Sequence, residues 1–299
     1  MNDMQRLPGF VVVGAQKSAS TFIQNSLSRH PDIYMPQGET RFFEDPEYGD
    51  GDIAELSRLF SARSEKVLGI KRPDYLGRME VPARIRLKLP AAKIIIVLRN
   101  PIERLISAYY YYIKIGFLPV LDINEAIPRL LAGDSLGNDI ASEQLLAYGK
   151  YATHIRRYRE VFPDDQIRII FQEDVKASPM KEIARVCDFL AVDPNAMPAL
   201  PAAANTGLYP LSRLRFLRMR NRFLYDYDSF GKLSVKKTAL RRLIPAAAIT
   251  LTDRWLLARF IDNSKPKLAD GLRSRLVEYY RDEIDGTAEI THRNLKEWF

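Results

Sequence analysis

The sequence predicts an α/β protein in three layers, a central parallel sheet flanked on both faces by helices. Three observations lead there. Residues 10–14 (FVVVG), 67–70 (VLGI), 93–98 (KIIIVL) and 167–171 (IRIIF) are apolar, β-branched runs with no alternating polar face, the mark of strands buried on both sides. Segments of helical spacing lie between and after these runs. With 299 residues, 46% hydrophobic and 27% charged, the chain has enough apolar surface for one sizeable core. We expect one domain over 1–299, mainly helical from about residue 205.

Taken in order, strand 10–14 runs into the turn GAQKSAST (14–21), and Phe22, Ile23, Ser26 and Leu27 give 21–29 a helical stripe. Helical spacing recurs over 81–89, 102–114, 124–132, 180–190 and, as one long helix, 140–161. The stretch 198–207 (PALPAAANTG) is small and Pro/Ala-rich and reads as a loop. The rest, to Phe299, reads as helices and loops around the sheet, without an internal repeat. Ligands of such sheets collect at the carboxyl ends of the strands, so a site is expected where GAQKSAST meets the loop after 93–98.

The balance of 45 Lys+Arg against 37 Asp+Glu gives a net charge of +8, which suits phosphate-bearing ligands, nucleic acid or anionic surfaces equally. Basic residues crowd between Arg213 and Arg242, where a solvated helical face is the plain alternative. Cys187 is the only cysteine, so the chain has no disulfide framework and no thiolate metal cluster, and it reads as a small buried apolar residue. Residues 1–10 hold no apolar run of signal-peptide length. The longest apolar candidate, 244–251, falls short of the roughly 20 residues of a membrane span. A cytoplasmic protein without a membrane span is expected, and a homodimer is compatible with the sequence.

GAQKSAST places a lysine and three hydroxyl residues at a helix N-terminus, where free N–H groups and the helix dipole favour an anion. It is not a Walker A loop. Lys17 stands three residues after Gly14, with no second glycine before it and no hydroxyl-magnesium pairing of the G-K-[ST] type. A Ser/Thr helix cap beside a surface lysine is the structural alternative. The second element is LRNPIERLISAYYYY (98–112), in which Arg99 ends a strand, Pro101 opens a helix and Ser107 follows two turns on. Arg99 offers a planar fork to a phosphate, with an ion pair to Glu103 as its competitor. Tyr109 to Tyr112 surround a whole helical turn and belong mostly to packing.

Together these two elements resemble the 3'-phosphoadenosine-5'-phosphosulfate (PAPS) dependent sulfotransferases. The resemblance implies a P-loop NTPase-like fold in which Gln16, Lys17, Ser18, Ala19, Ser20, Thr21 and Phe22 hold the 5'-phosphosulfate while Arg99 and Ser107 hold the 3'-phosphate. HPDIYMPQGETRFFED (30–45) and GIKRPDYL (69–76) are similar to the carbohydrate and heparan-sulfate branch and its bacterial relatives. By that likeness Glu39, before Phe42 and Phe43, is the general base, and Lys71, before Pro73 and Tyr75, lies near the sulfuryl oxygens. EQLLAYGKYATHIRRYREVFPDDQIRIIFQEDV and LVEYYRDEIDGTAEITHRNLKEW resemble the family's long helix, last strand and C-terminal helix. NTGLYPLSRLR (205–215) is similar to a loop that closes over the nucleotide, so Arg213 or Arg215 is assigned to the 3'-phosphate.

The implied reaction is in-line transfer of a sulfuryl group from PAPS to a hydroxyl, less readily an amine, of a small metabolite or saccharide, leaving 3',5'-adenosine bisphosphate. Lys17 would stabilise the departing phosphate oxygen and Glu39 would take the acceptor's proton. Two other readings stand beside it. A P-loop kinase or NTPase would need a magnesium site, and a nucleic-acid binder would follow from the basic charge alone. His30, His154 and His292 are too scattered for a metal site, and His154 is expected to face solvent or line the acceptor cleft.

Overall fold

The computed structural model describes residues 6–49, 52–201, 207–227, 233–236 and 239–299. The chain runs through β1 (Phe10–Gly14), α1 (Ser20–Leu27), β2 (Ile33–Tyr34), α2 (Ile53–Arg58), β3 (Val67–Lys71), α3 (Val81–Lys88), β4 (Lys93–Leu98), α4 (Pro101–Ile115), α5 (Ile123–Leu131), α6 (Asp139–Ala147) and α7 (Tyr151–Arg159). It continues through β5 (Ile167–Phe171), α8 (Gln172–Ala177), α9 (Pro179–Leu190), α10 (Leu211–Leu224), β6 (Tyr225–Tyr227), β7 (Leu233–Lys236), α11 (Leu240–Thr252), α12 (Ala258–Phe260) and α13 (Asp270–Thr291). The chain divides into two compact units, one of residues 1–100, 150–204 and 282–297, the other of 101–149, 205–281 and 298–299.

The first unit holds a five-stranded sheet in the order β2-β3-β1-β4-β5, parallel at every pairing. Every residue of β1 is buried, as its unbroken apolar run requires. Phe10, Val12, Ile95 and Val97 share one core cluster with Ile23 and Leu27 of α1 and with Ile183, Val186 and Leu190 of α9. Cys187 belongs to that cluster, and burial pushes its thiol up to about 11. From β1 the chain moves to β2 and β3 on one side, then crosses to β4 and β5 on the other. At such a reversal the loops part and leave a crevice beyond the carboxyl ends of the strands. Pairing of β1 with β4 shifts between Val12 and Gly14, a bulge that re-aims the chain as it leaves the sheet.

In the second unit α4 buries most of one side, and of the tyrosine run only Tyr111 stands exposed. The phenol of Tyr109 donates to the Leu121 carbonyl at 2.8 Å and that of Tyr112 to Gln144 at 3.0 Å, so the run packs and bonds internally as expected. The single helix expected over 140–161 is two, α6 and α7, parted at 148–150. The ring of Tyr280 lies so close to Gly149 that a Cβ there would come within 2.7 Å of it, and the Tyr280 hydroxyl donates to the Leu146 carbonyl at 2.9 Å. That donor takes up a backbone acceptor at the end of α6. Helices and loops were expected after residue 205, yet β6 and β7 pair there as an antiparallel hairpin. Strands of three and four residues are too short to leave a periodic signal. Residues 202–206 of the predicted loop 198–207 lie outside the described residues.

Candidate active site

β1 delivers the chain into the turn 14–19. Gly14 has φ +149°, and a Cβ there would sit 2.6 Å from the Pro73 carbonyl oxygen and 2.8 Å from the Leu76 Cβ, so both conformation and space demand glycine. The Ala15 N–H donates to the Val97 carbonyl at 2.6 Å and ties the turn to β4. Lys17 (φ 65°) and Ala19 (φ 73°) take left-handed backbone on either side of Ser18. Non-glycine residues there cost about 1 kcal/mol or more each, and the alternation they create forms an anion-binding concavity of peptide N–H groups. α1 then opens with no side-chain cap and no acid in its first turn. The leading N–H groups of Ser20, Thr21 and Phe22 thus point an uncancelled helix dipole at whatever occupies the turn. The Ser18 hydroxyl is fully buried with no hydrogen-bond partner among the described residues. Such a group costs about 1–3 kcal/mol unless a ligand oxygen meets it, so the turn fits a phosphate or sulfate.

β3 ends in Lys71, one residue beyond the sequence expectation. Its buried ammonium donates to Thr21 Oγ1 at 3.2 Å and lies 3.8 Å from Glu39 Oε1. Burial lowers the Lys71 pKa, Glu39 works against that shift and Arg72 adds to it. The segment bearing Glu39 is fixed from both sides. Gln24 of α1 donates to the carbonyls of Pro36 at 2.7 Å and Gly38 at 3.0 Å, while the Thr40 N–H bonds to the Lys71 carbonyl at 3.0 Å. The Tyr75 hydroxyl accepts from the Phe43 N–H at 3.0 Å and donates to the Thr40 carbonyl. Phe42 and Phe43 are buried, and Phe43 meets the Tyr75 ring edge-on at 5.9 Å, so the aromatic pair anchors the segment.

Two glutamates of GETRFFED have different surroundings. Glu44 is fully buried and ringed by Arg41, Arg72 and Arg78, each at 2.8 Å. Glu39 pairs with Lys71 and Arg72 but keeps 39% of its side chain exposed, so of the two only Glu39 is reachable by an acceptor. Arg72 joins Glu39, Glu44 and Asp74, the last at 2.9 Å. Burial opposes the Arg72 charge, but these three carboxylates raise its pKa above the ordinary guanidinium value. Sequence reading overlooked Arg72, Asp74 and Gln24. The one available signal was K-R-P-D directly after a buried strand, two cations and an acid where the chain leaves the sheet. Gln16, assigned to the nucleotide, turns its amide to Asp74 Oδ1 at 3.0 Å.

Arg99, at the end of β4, donates to the Lys17 carbonyl at 3.1 Å, so the two motifs read separately in the sequence meet at neighbouring strand ends. Ser107 stands two turns along α4, half-buried. Glu103, the competitor for Arg99, pairs with Lys265 and lies 3.7 Å from Arg273. Arg213 is buried on α10 and its fork closes on Asp253 with two bonds of 2.9 Å. Arg215 of the same helix is exposed. Asn205 and Thr206 of NTGLYPLSRLR lie outside the described residues. His154 does not face solvent, because α7 turns it inward to near-complete burial, 3.4 Å from Arg157. His30 bonds the Asp193 carbonyl at 2.8 Å and accepts from the Asp32 N–H, a structural role. Among the described residues no helix is long and apolar enough to cross a membrane, and no cluster of His, Cys, Asp and Glu is arranged to hold a metal ion.

A turn built to hold a phosphate or sulfate at the head of a helix, with cations brought from both neighbouring strands, defines an α/β anion-handling protein at a sheet reversal. Residues 7–199 match the sulfotransferase domain family, and the chain belongs to that family. It is 31% identical over 205 residues to the human bifunctional heparan sulfate N-deacetylase/N-sulfotransferase 2, covering 63% of this chain and 22% of that protein. Human heparan sulfate glucosamine 3-O-sulfotransferase 6 is 29% identical over 189 residues, again 63% of this chain and 53% of that protein. The chain therefore matches only a fifth to about half of these relatives' lengths. Among solved structures it is similar to a sulfotransferase from Alicyclobacillus acidocaldarius, with a TM-score of 0.66, 22% identity and coverage of 98% of this chain and 99% of that one. Mouse sulfotransferase SULT7A1 complexed with PAP gives a TM-score of 0.50 at 17% identity, covering 96% of this chain and 90% of that one. These structural likenesses show the expected P-loop-like fold, and the family match favours sulfuryl transfer over the kinase and nucleic-acid readings.

Proposed function

We propose that the protein transfers a sulfuryl group from PAPS to a hydroxyl or amine of a saccharide or small metabolite. One observation carries this reading. The Lys71 ammonium bonds Thr21 at the head of α1 and lies 3.8 Å from Glu39, so the anion turn, a buried cation and a reachable carboxylate share one place. The PAP in one fold neighbour supports the nucleotide, and the heparan sulfate acted on by two relatives supports a saccharide class. A single fold match over 98% of the chain supports reading 1–299 as one sulfotransferase domain, and the lone buried Cys187 suits a reducing cytoplasm.

PAPS, when bound, supplies a sulfuryl monoanion on a phosphate leaving group. Lys17 and the N–H groups at the head of α1 neutralise charge on the departing phosphate oxygen. Gln16, Ser18, Ala19, Ser20, Thr21 and Phe22 line the 5' end with backbone and side-chain donors. Arg99 and Ser107 take the 3'-phosphate, joined by Arg215 in place of Arg213, whose fork is engaged by Asp253. Glu39 accepts the acceptor's proton, and Lys71 steadies the sulfuryl oxygens.

Two measurements test the proposal together. Calorimetry should show adenosine 3',5'-bisphosphate binding without magnesium, and ATP binding far more weakly. Glu39→Gln should abolish transfer from radiolabelled PAPS to a panel of sugars and hydroxylated metabolites, with bisphosphate affinity changed less than about threefold. Failure to bind the bisphosphate sinks the whole reading; wild-type turnover by the variant removes Glu39 as base.

A further inference from the structure

The segment from α11 through α12 is apolar on the face it shows to water. Leu240 (77% exposed), Ile244 (65%), Leu251, Trp255 (68%), Leu256 and Phe260 (79%) all stand out of the second unit. Core packing does not explain them, because the opposite face already packs. Ala246 and Asp253 are buried there, and Asp253 holds Arg213 of α10. Leu240, Ile244, Ala247 and Leu251 recur at spacings of four, three and four, which is one stripe along a helix. A π-helical turn (Asp253–Leu257) carries the exposed series on to Trp255 and Leu256. Contiguous exposed apolar surface of this kind marks an interaction site.

Charge decides what covers it. Arg241, Arg254 and Arg259 are exposed beside the stripe and Arg242 partly so, while between 239 and 261 the only acid, Asp253, is buried. A second copy docked on the same face would set these arginines against their own equivalents, and like charges at close range repel. An anionic lipid surface supplies both things the face lacks: apolar depth for the stripe and negative headgroups for the guanidinium groups. Trp255 is the residue type that settles at the headgroup boundary.

We propose that the exposed face of residues 240–260 docks the protein on an anionic membrane surface, with Leu240, Ile244, Leu251, Trp255 and Phe260 inserted among the headgroups. The proposal does not depend on the sulfuryl-transfer reading, since it uses none of the residues of that site.

Co-sedimentation of the whole chain with phosphatidylcholine vesicles, and with phosphatidylcholine vesicles containing phosphatidylglycerol, tests it. Binding to the anionic vesicles should be at least about tenfold tighter and should fall as salt is raised, each interfacial arginine contributing about fivefold. Trp255 emission should shift to the blue on binding; the chain has two tryptophans, and the other, Trp298, is already buried and should contribute a constant background. The double variant Trp255→Ser with Phe260→Ser should lose about tenfold or more in partitioning while keeping the wild-type melting temperature, because both side chains are exposed. Equal partitioning of variant and wild type, or no partitioning onto anionic vesicles, overturns the proposal. So does a concentration-dependent dimer without lipid that the same double variant dissolves, since the face would then join two copies.

Discussion

Two arginines, Arg213 buried and Arg72 partly buried, one in each compact unit, meet carboxylates in opposite ways. Arg213 closes a two-bond fork on the single carboxylate of Asp253 among the described residues, both groups nearly out of water. Arg72 is shared among Glu39, Glu44 and Asp74, and Glu39, the outermost of the three, still reaches solvent. A closed fork satisfies both partners and leaves nothing for chemistry, because any ligand would have to break a desolvated pair. An arginine divided among three acids instead places one carboxylate at the edge of a rigid cluster. The difference separates a clamp from a site, and it is why the proposal gives the nucleotide role to Arg215 and not to Arg213.

The largest effect should come from the clamp. Arg213→Ala would leave Asp253 buried and unpaired, and about 3–5 kcal/mol of stability should be lost, read by chemical denaturation. Affinity for adenosine bisphosphate, measured on the folded fraction, should hold within about twofold. A tenfold loss of affinity without loss of stability would reverse the comparison and return Arg213 to the phosphate.

Arg72→Lys tests the other side. Lysine brings a point charge and no fork, so it cannot hold three acids at once. Glu44 keeps Arg41 and Arg78, so stability should fall by only about 1–2 kcal/mol. Glu39 loses its strongest orienting contact, and kcat should drop about tenfold to a hundredfold. A stability loss as large as that of Arg213→Ala, with kcat intact, would make Arg72 a second clamp.

The contrast between the two arginines was invisible in the sequence, for a reason that also marks what was visible there. Strands 10–14 and 93–98 are legible because their burial on both faces is written in consecutive residues. The anion turn is legible because its glycine, lysine and hydroxyls are neighbours. The role of Arg72 depends on Glu39, 33 positions away, and the break at Gly149 on Tyr280, far along the chain. Neither distance leaves a local pattern. α11 is a third case, since its apolar stripe of Leu240, Ile244 and Leu251 has the periodicity of a core-facing helix, yet those residues are exposed.

Tyr75→Phe should have a smaller effect. The lost hydroxyl serves the Phe43 N–H and the Thr40 carbonyl, both flanking the segment of Glu39. About 1–2 kcal/mol of stability should go, with KM for the acceptor rising several-fold while bisphosphate affinity stays. An unchanged KM would show that the segment is held by Gln24 and Lys71 alone.

The finest test concerns Lys71, which touches Glu39 beside Arg72 yet differs in being able to lose its proton. Burial lowers its pKa, so the folded protein gives up this charge at a lower pH than an ordinary lysine would. If the charged form steadies the sulfuryl oxygens, kcat should fall on the alkaline side with a midpoint below that of free lysine. Lys71→Arg, which stays charged there, should lose that limb even at a reduced plateau. Stability moves the other way. Between the folded and unfolded pKa values the unfolded chain binds more protons, so the contribution of Lys71 to stability rises with pH across the window in which activity falls. A merely structural Lys71 would give the stability rise alone, whereas a catalytic one gives both with opposite signs. The pH profiles of kcat and of melting temperature in wild type and Lys71→Arg therefore decide whether the buried ammonium belongs with the shared cluster of Arg72 or with the closed fork of Arg213.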